Sequence, residues 1–338
     1  MRAGLLGVAA ALLAGTTQAG AQPKKLVNAA LDARSAASGL DAVFRGAVAA
    51  QPQPSWIAYI VPAARGRNFG CDSYWRDGNA SMGGGTVHLE PPSEVMVLYR
   101  VDGNQVDRIR TLAPDCDIDA GGVPLHWLAD VDPGQSVALL ETFVKGPERM
   151  TDSALSAIGM HAGPAADAAL KRFVAADQPE PVRQKAVMWL GWTRGRQGFE
   201  ALRAILASDP SDRVRERAVQ VLASSKEPEA LTLVLATAHS DHSSRVRGQA
   251  LSWLARQAGV KAAGPIQDAI ANDPEREVKR RAVAALREMP NGEGIPLLIQ
   301  LSKTSRDPEV RKQAMSSLGA SGDPRATAFF EEVLKSKP

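Results

Sequence analysis

Cysteine is almost missing from this chain: among 338 residues there are two, Cys71 and Cys116. Two thiols allow a single intrachain pairing, 45 residues apart, although two unpaired thiols or an intermolecular bond use the same residues. Aromatic residues make up only 5% while Ala, Leu and Val are plentiful, which favours closely stacked helices over a large β-sandwich. Charge of one sign is also scarce. A net +3 from 40 basic and 37 acidic residues is too small to call for a nucleic-acid or anionic-membrane partner. No G-x-S-x-G elbow occurs, and "MGGGT" (Met82 to Thr86) lacks the Lys-Ser/Thr ending of a phosphate loop.

Long apolar runs are missing too, apart from "AGLLGVAAALLAG" at Ala3 to Gly15. Those 13 residues are short for a membrane span, which needs roughly 20. Arg2 precedes the run, and "AGA" (Ala19 to Ala21) follows with a small-x-small cleavage pattern. Residues 1–21 are therefore expected to be a cleaved signal peptide, with cleavage after Ala21 or Ala19, and the protein to be periplasmic or secreted. In an oxidising compartment Cys71 and Cys116 are expected to pair. On the chain-entropy model that closure stabilises by about 4 kcal/mol at most.

What is present is repetition. "DPSDRVRERAVQVLA" begins at Asp209, and close copies begin at Asp177, Asp241 and Asp273, with a weaker one at Ser305, each 32 residues after the last. At this period Val182, Val214, Val246, Val278 and Val310 share a column. Ala186, Ala218, Ala250, Ala282 and Ala314 share another, as do Leu190, Leu222, Leu254, Leu286 and Leu318. Val, Ala and Leu at i, i+4 and i+8 form one apolar stripe of a helix. A second helix alternates with it, marked by Leu170, Leu202, Val234, Ile266, Leu298 and Phe330. Short Asp-Pro and Gly connections stop and cap the helices. The frame reaches back to about Thr151, so roughly twelve helices are expected. A two-helix unit this small cannot bury its apolar face alone, and stacking neighbours gives an α-solenoid.

At these columns the chain resembles HEAT repeats, in the short bacterial form also seen in phycobilisome-lyase-type proteins. The resemblance implies a mostly α chain with about six two-helix repeats over residues 147–338. It also implies a hydrogen-bonded ladder between an Asp in the intra-repeat turn and an Arg six residues on. Asp177/Arg183, Asp209/Arg215, Asp241/Arg247 and Asp273/Lys279 fit that spacing. Ser305/Arg311 departs from it, so the ladder is expected to weaken at the last full repeat. A ladder makes the recurring arginines mortar rather than an active site. Arg213, Arg217, Arg245 and Arg281 lie on the same helices outside the ladder column, and with Trp192 they are candidate partner-binding residues. Trp189, Trp192 and Trp253 also read as layer packing.

Residues 22–146 do not follow the period. "LVNAALDARSA" is ambiguous between strand and helix, Ser38 to Gln51 reads as helix, and Trp56 to Pro62 as strand. A long polar loop follows, with a strand at Thr86 to Glu90. Val95 to Val101 and Gln105 to Leu112 flank Asp102-Gly103-Asn104, a hairpin signature. Asp132-Pro133 then starts a helix through Val144. The expectation is a small α+β module with an antiparallel meander, packed on the first solenoid helix. A leader and such a module ahead of HEAT repeats also resemble secreted bacterial proteins in outline, which implies no activity for the module.

Candidate chemistry is thin. Asp115, Asp117 and Asp119 alternate like the start of a calcium loop, but the glycine comes late, at Gly121, and position twelve is His126. A turn carrying Cys116 toward Cys71 explains the segment better. His239, Asp241 and His242 are zinc-competent residue types, yet Asp241 belongs to the ladder column. Metal-binding HEAT enzymes of the hydroxylase type carry His-Glu pairs in several repeats, and this chain has none. No cofactor or metal is expected. The reading is a non-catalytic scaffold that binds a protein or peptide on its solenoid surface. The alternative is a catalytic or ligand-binding module with a pocket lined by His88, His126 and Asp115 to Asp119, carried by a HEAT adaptor.

Overall fold

The computed structural model describes residues 25–65, 70–71 and 90–335. The leader at residues 1–21, the "MGGGT" segment, His88 and the strand expected at Thr86 to Glu90 lie outside the described residues.

The first part is built on a five-stranded sheet. Its strands are β2 (Leu31–Ser35), β3 (Ser55–Pro62), β4 (Glu94–Asp102), β5 (Gln105–Leu112) and β7 (Leu125–Ala129), in spatial order β2-β7-β3-β4-β5. A separate pair joins β1 (Lys25–Val27) to β6 (Asp117–Asp119). The expected meander is therefore only part of the answer. β3, β4 and β5 are antiparallel as expected, but β7 runs parallel to both β3 and β2. The sheet is mixed because the chain crosses over twice. The ambiguous "LVNAALDARSA" segment resolves into two short strands broken at Asn28, which takes φ 51°.

The hairpin is tight for a chemical reason. Gly103 (φ 55°) and Asn104 (φ 62°) both take left-handed backbone, as a two-residue type I′ turn requires. The Asn104 carboxamide also donates to the Val48 and Ala49 carbonyls. That closes the C-terminus of α1 (Leu40–Ala49), whose last carbonyls have no partner within the helix. α2 (Pro133–Val144) starts as its sequence demands, with Asp132 accepting from the Gln135 N–H at 2.9 Å and proline in the first turn.

One sheet face carries Ile57, Tyr59, Val95, Val97 and Tyr99 against α1, α2 and the first repeat helices. The other carries Ala58, Met96, Leu98 and Trp127 around the disulfide. Cys71 and Cys116 are bonded, with Cα atoms 5.2 Å apart.

Twelve helices follow among the described residues. The first of each pair of repeat helices (the A row) comprises α4 (Pro164–Phe173), α6 (Gly195–Ser208), α8 (Ala230–Ser240), α10 (Ala263–Asn272), α12 (Ile295–Thr304) and α14 (Pro324–Lys335). The B row comprises α3 (Glu148–Met160), α5 (Glu180–Thr193), α7 (Asp212–Ala223), α9 (Ser244–Ala258), α11 (Arg276–Arg287) and α13 (Pro308–Gly319). Every B-row Val, Ala and Leu column residue is buried, and the Ala column is wholly sealed. The A-row column is buried through Leu298, but in α14 the inward residue is Phe329 and Phe330 is half-buried. Adjacent B helices pack directly on one another, whereas adjacent A helices barely meet. Helices that touch lie on the inside of a curve, so the B row forms the inner face of the stack.

Module and stack share one core. Tyr59 and Val97 of the sheet, Leu140 of α2, Ile158 of α3, Leu170 of α4 and Ala186 of α5 belong to a single buried cluster. β3 runs on into the first inter-helix turn, where Ala64 N–H donates to Met160 and Ala162 N–H donates to Pro62.

Candidate functional site

The recurring arginines sort into two kinds. Arg183, Arg215 and Arg247 are buried. Each gives its guanidinium to the aspartate one repeat further on. Arg183 reaches both oxygens of Asp209 at 3.0 and 3.1 Å. Arg215 reaches Asp241 twice at 3.0 Å, and Arg247 reaches Asp273 at 2.8 and 2.9 Å. Arg215 and Arg247 also donate Nη1 to the carbonyl of their own repeat's aspartate, Asp209 and Asp241, at 2.7 and 2.8 Å. In Arg215 and Arg247 the planar fork thus ties the turn of one repeat to the turn of the next, whereas Arg183 grips Asp209 through Nη1 alone. Each of these three aspartates accepts one further bond from a backbone N–H two residues on, which leaves little of the buried carboxylate unanswered.

The ladder has three rungs, and its ends correct the sequence expectation. Asp177 is exposed; the residue 26 positions before it is Thr151, which cannot supply a fork. At the other end the partner of Lys279 would be Ser305. Lys279 Nζ instead meets the Ala271 carbonyl at 3.0 Å, and Arg311 meets the Ser305 carbonyl at 2.7 Å. Lysine replaces arginine at the very junction where aspartate becomes serine. With no carboxylate to grip, the fork has no task.

The second kind faces outward. Arg213, Arg217 and Arg245 come together with Gln184, Glu216, Gln220 and Gln249 around a groove of about 440 Å³ across α5, α7 and α9. Arg213 meets Glu180 at 3.2 Å, and Arg245 meets Glu216 at 2.7 Å. Arg281 lies one helix further, paired with Glu277 at 2.8 Å. A Cβ on Gly248 would stand 2.4 Å from Arg281 Cδ, so the Arg281 stem fills the space this glycine leaves beside the groove. Trp192 is not part of the site: it is half-buried, edge-on to Trp189 at 5.8 Å and packed against the core. Sequence reasoning missed the three glutamines, because polar uncharged residues in an irregular column carry no periodic signal.

The His-containing candidates are occupied elsewhere. His242 Nε2 lies 2.8 Å from Arg215 Nη2, so it accepts from the ladder. His239 is exposed and 3.8 Å from Asp268. Among the described residues no three His, Cys, Asp or Glu side chains form a metal-binding group. The aspartate run is not a calcium loop: Asp117 to Asp119 is strand β6, and Asp119 accepts from the Gly121 N–H and from Asn28. Those bonds hold its carboxyl below the usual aspartate range. His126 is buried, with Nδ1 at 3.1 Å from Asp32.

One constellation looks like chemistry and is architecture. Ser136 Oγ sits 2.8 Å from His161 Nε2, and Tyr59 OH lies 2.7 Å from both Ser136 Oγ and Tyr99 OH. His161 Nδ1 lies 2.7 Å from the Ala157 carbonyl, which can only accept, so Nδ1 carries the proton. Nε2 then accepts from Ser136, and the donors chain back through Tyr59 to Tyr99. All four side chains are fully buried, and the third partner of a catalytic triad is a backbone carbonyl here rather than a carboxylate. Burial drives His161 down to about 4 and Tyr59 up to about 12. The chain of bonds fastens β3 and β4 to α2 and α3.

Residues 166–255 and 265–338 match the HEAT-repeat family. No curated protein matches the chain. Among solved structures, the chain is similar to the complex of CpcE and CpcF of phycocyanin lyase from Nostoc sp. PCC7120, at 19% identity over 46% of this chain and 99% of that one, TM-score 0.36. It is similar to human deoxyhypusine hydroxylase, at 15% identity over 61% of this chain and 92% of that one, TM-score 0.33. The Kap95p–RanGDP complex overlaps 55% of this chain and 29% of its own, at 18% identity and TM-score 0.35. Overlap this loose says nothing about what the chain does. The repeat columns, the buried ladder and the family match agree: this is a HEAT-repeat protein.

Proposed function

We propose that the chain is an exported, non-catalytic scaffold that holds a protein or peptide partner on the B-row face of its repeats. The observation that carries this reading is the split between arginines. The ladder set is consumed by stacking, whereas Arg213, Arg217, Arg245 and the three glutamines line a groove that the fold does not need. HEAT repeats suit this use, since a stacked array offers a long continuous surface. No helix among the described residues is long and apolar enough to cross a membrane. The leader-like residues 1–21 and the pairing of the two cysteines support an oxidising location outside the cytoplasm. Residues 22–146 form the module that caps the first repeat, and residues 147–338 form the binding array.

A photo-crosslinking residue placed at Gln220 in the groove, and separately at Arg203 on the A row, tests the reading in the cell that makes the protein. Mass spectrometry should recover a defined partner from Gln220 and not from Arg203. Equal recovery from both positions, no adduct at either, or turnover of a substrate by the purified chain overturns it. Intact mass of the mature protein tests export separately: it should begin at Gln22 or at Gly20.

A further inference from the structure

The groove across α5, α7 and α9 is unevenly neutralised. Of its three arginines, Arg213 is answered by Glu180 and Arg245 by Glu216. Arg217 reaches the Gln220 amide oxygen, and among the described residues no carboxylate lies within ion-pair distance of it. The equivalent position one repeat earlier is Lys185, which is tied to Asp152, and one repeat later it is Gln249. One half-buried cation therefore stands unanswered among three carboxamides, Gln184, Gln220 and Gln249, one on each of the three helices.

That arrangement has a definite complement. A guanidinium without an acid partner binds a carboxylate through two parallel hydrogen bonds. A carboxamide offers an acceptor and two donors, which match the C=O and N–H of a peptide backbone. Packed helix axes lie about 8–10 Å apart, and an extended chain advances about 3.3 Å per residue. A peptide laid across the B row thus spends about three residues per helix, and about six separate Gln184 from Gln249. Resting on the scaffold reading above, we infer that the groove takes an extended peptide segment with one acidic side chain seated on Arg217 and flanking backbone held by Gln184 and Gln249. A nucleic-acid strand fits poorly. Its evenly spaced phosphates would meet Glu180 and Glu216 beside the single free cation, and the groove lining contains no aromatic side chain on which a base could stack.

Panning a random dodecapeptide library on the full chain tests this. Selected peptides should share one Asp or Glu position. Changing that residue to its amide, or Arg217→Gln in the protein, should weaken binding at least tenfold by fluorescence polarisation. Arg217→Lys should recover part of the loss, and Arg203→Gln, on the A row outside the groove, should cost less than threefold. Binding of dT12 should be weaker than that of the selected peptides. No selected peptide, no shared acid, unchanged affinity on Arg217→Gln, or tight dT12 binding overturns the inference. If crosslinking from Gln220 still captures its partner in the Arg217→Gln variant, the scaffold stands and only the carboxylate assignment fails.

Discussion

Arg215→Met removes a guanidinium while keeping the length of the side chain. Arg215 is 1% exposed and holds Asp241 by two bonds and the Asp209 carbonyl by a third. In the variant the Asp241 carboxylate stays buried with the Ser243 N–H as its remaining strong donor. Breaking a buried pair from one side costs about 3–5 kcal/mol, against about 0–1 kcal/mol for a surface pair. The internal control is Lys279→Met. Lys279 is half-buried and bonds one backbone carbonyl but no carboxylate, so its loss should cost about 1 kcal/mol or less. Repeat arrays open in parts, so one global unfolding energy is the wrong readout. Hydrogen exchange by mass spectrometry resolves the parts. Amides of α7 to α9 should lose protection in Arg215→Met and keep it in Lys279→Met. Asp241→Asn combined with Arg215→Met should cost less than the sum of the two, by about 1–3 kcal/mol. Equal effects of Arg215→Met and Lys279→Met, or strict additivity with Asp241→Asn, would refute the account of the ladder as desolvated mortar.

Other outcomes follow from the same geometry. Lys279→Arg with Ser305→Asp should install a fourth rung, raising protection of α13 and α14 more than either change alone. His161 is neutral in the fold, with its titration moved from about 6.5 to about 4. Because the unfolded chain takes the proton first, stability should fall as pH drops from about 6.5 to about 4, by about 3 kcal/mol in total, and level off below. Urea unfolding of His161→Gln should lack that component; an identical pH slope would discount it. Gly294→Ala places a Cβ 1.9 Å from the Leu286 carbonyl oxygen and should destabilise by about 1–3 kcal/mol, whereas Gly319→Ala meets nothing within 4 Å and should gain about 0.5–1 kcal/mol of helix propensity. Reducing Cys71–Cys116 should lower the stability of the module by up to about 4 kcal/mol, read as a shift in its urea midpoint.

The repeat was readable because its signal is periodic. Val, Ala and Leu recur at the same phase of every B helix, and a column with one physical task keeps one residue type. The module was only partly readable. Its hairpin announces itself through Gly103 and Asn104, but the parallel pairing of β7 with β2 and β3 joins segments about 70 to 90 residues apart, and no local pattern encodes that partnership. The direction of the ladder was hidden for a similar reason. Arg215 and Asp209 are six residues apart and look like partners, yet the turn presents the backbone carbonyl of Asp209 to Arg215 and hands its carboxylate to Arg183.

The groove shows the limit from the other side. Arg213, Arg215 and Arg217 alternate along one helix, and two residues advance about 200° around its axis. Arg215 consequently points into the stack while Arg213 and Arg217 point away from it, so one short sequence serves two surfaces. The inward column is nearly uniform: Arg183, Arg215, Arg247, Lys279, Arg311. The outward column of Arg217 reads Lys185, Arg217, Gln249, Arg281, Gln313. Stacking identical layers demands the same side chain at each step, whereas a single ligand meets each layer with a different part of itself. Irregularity on an otherwise periodic face is therefore the mark to look for when locating a binding site on an array of this kind. In this chain that mark coincides with the unanswered charge of Arg217.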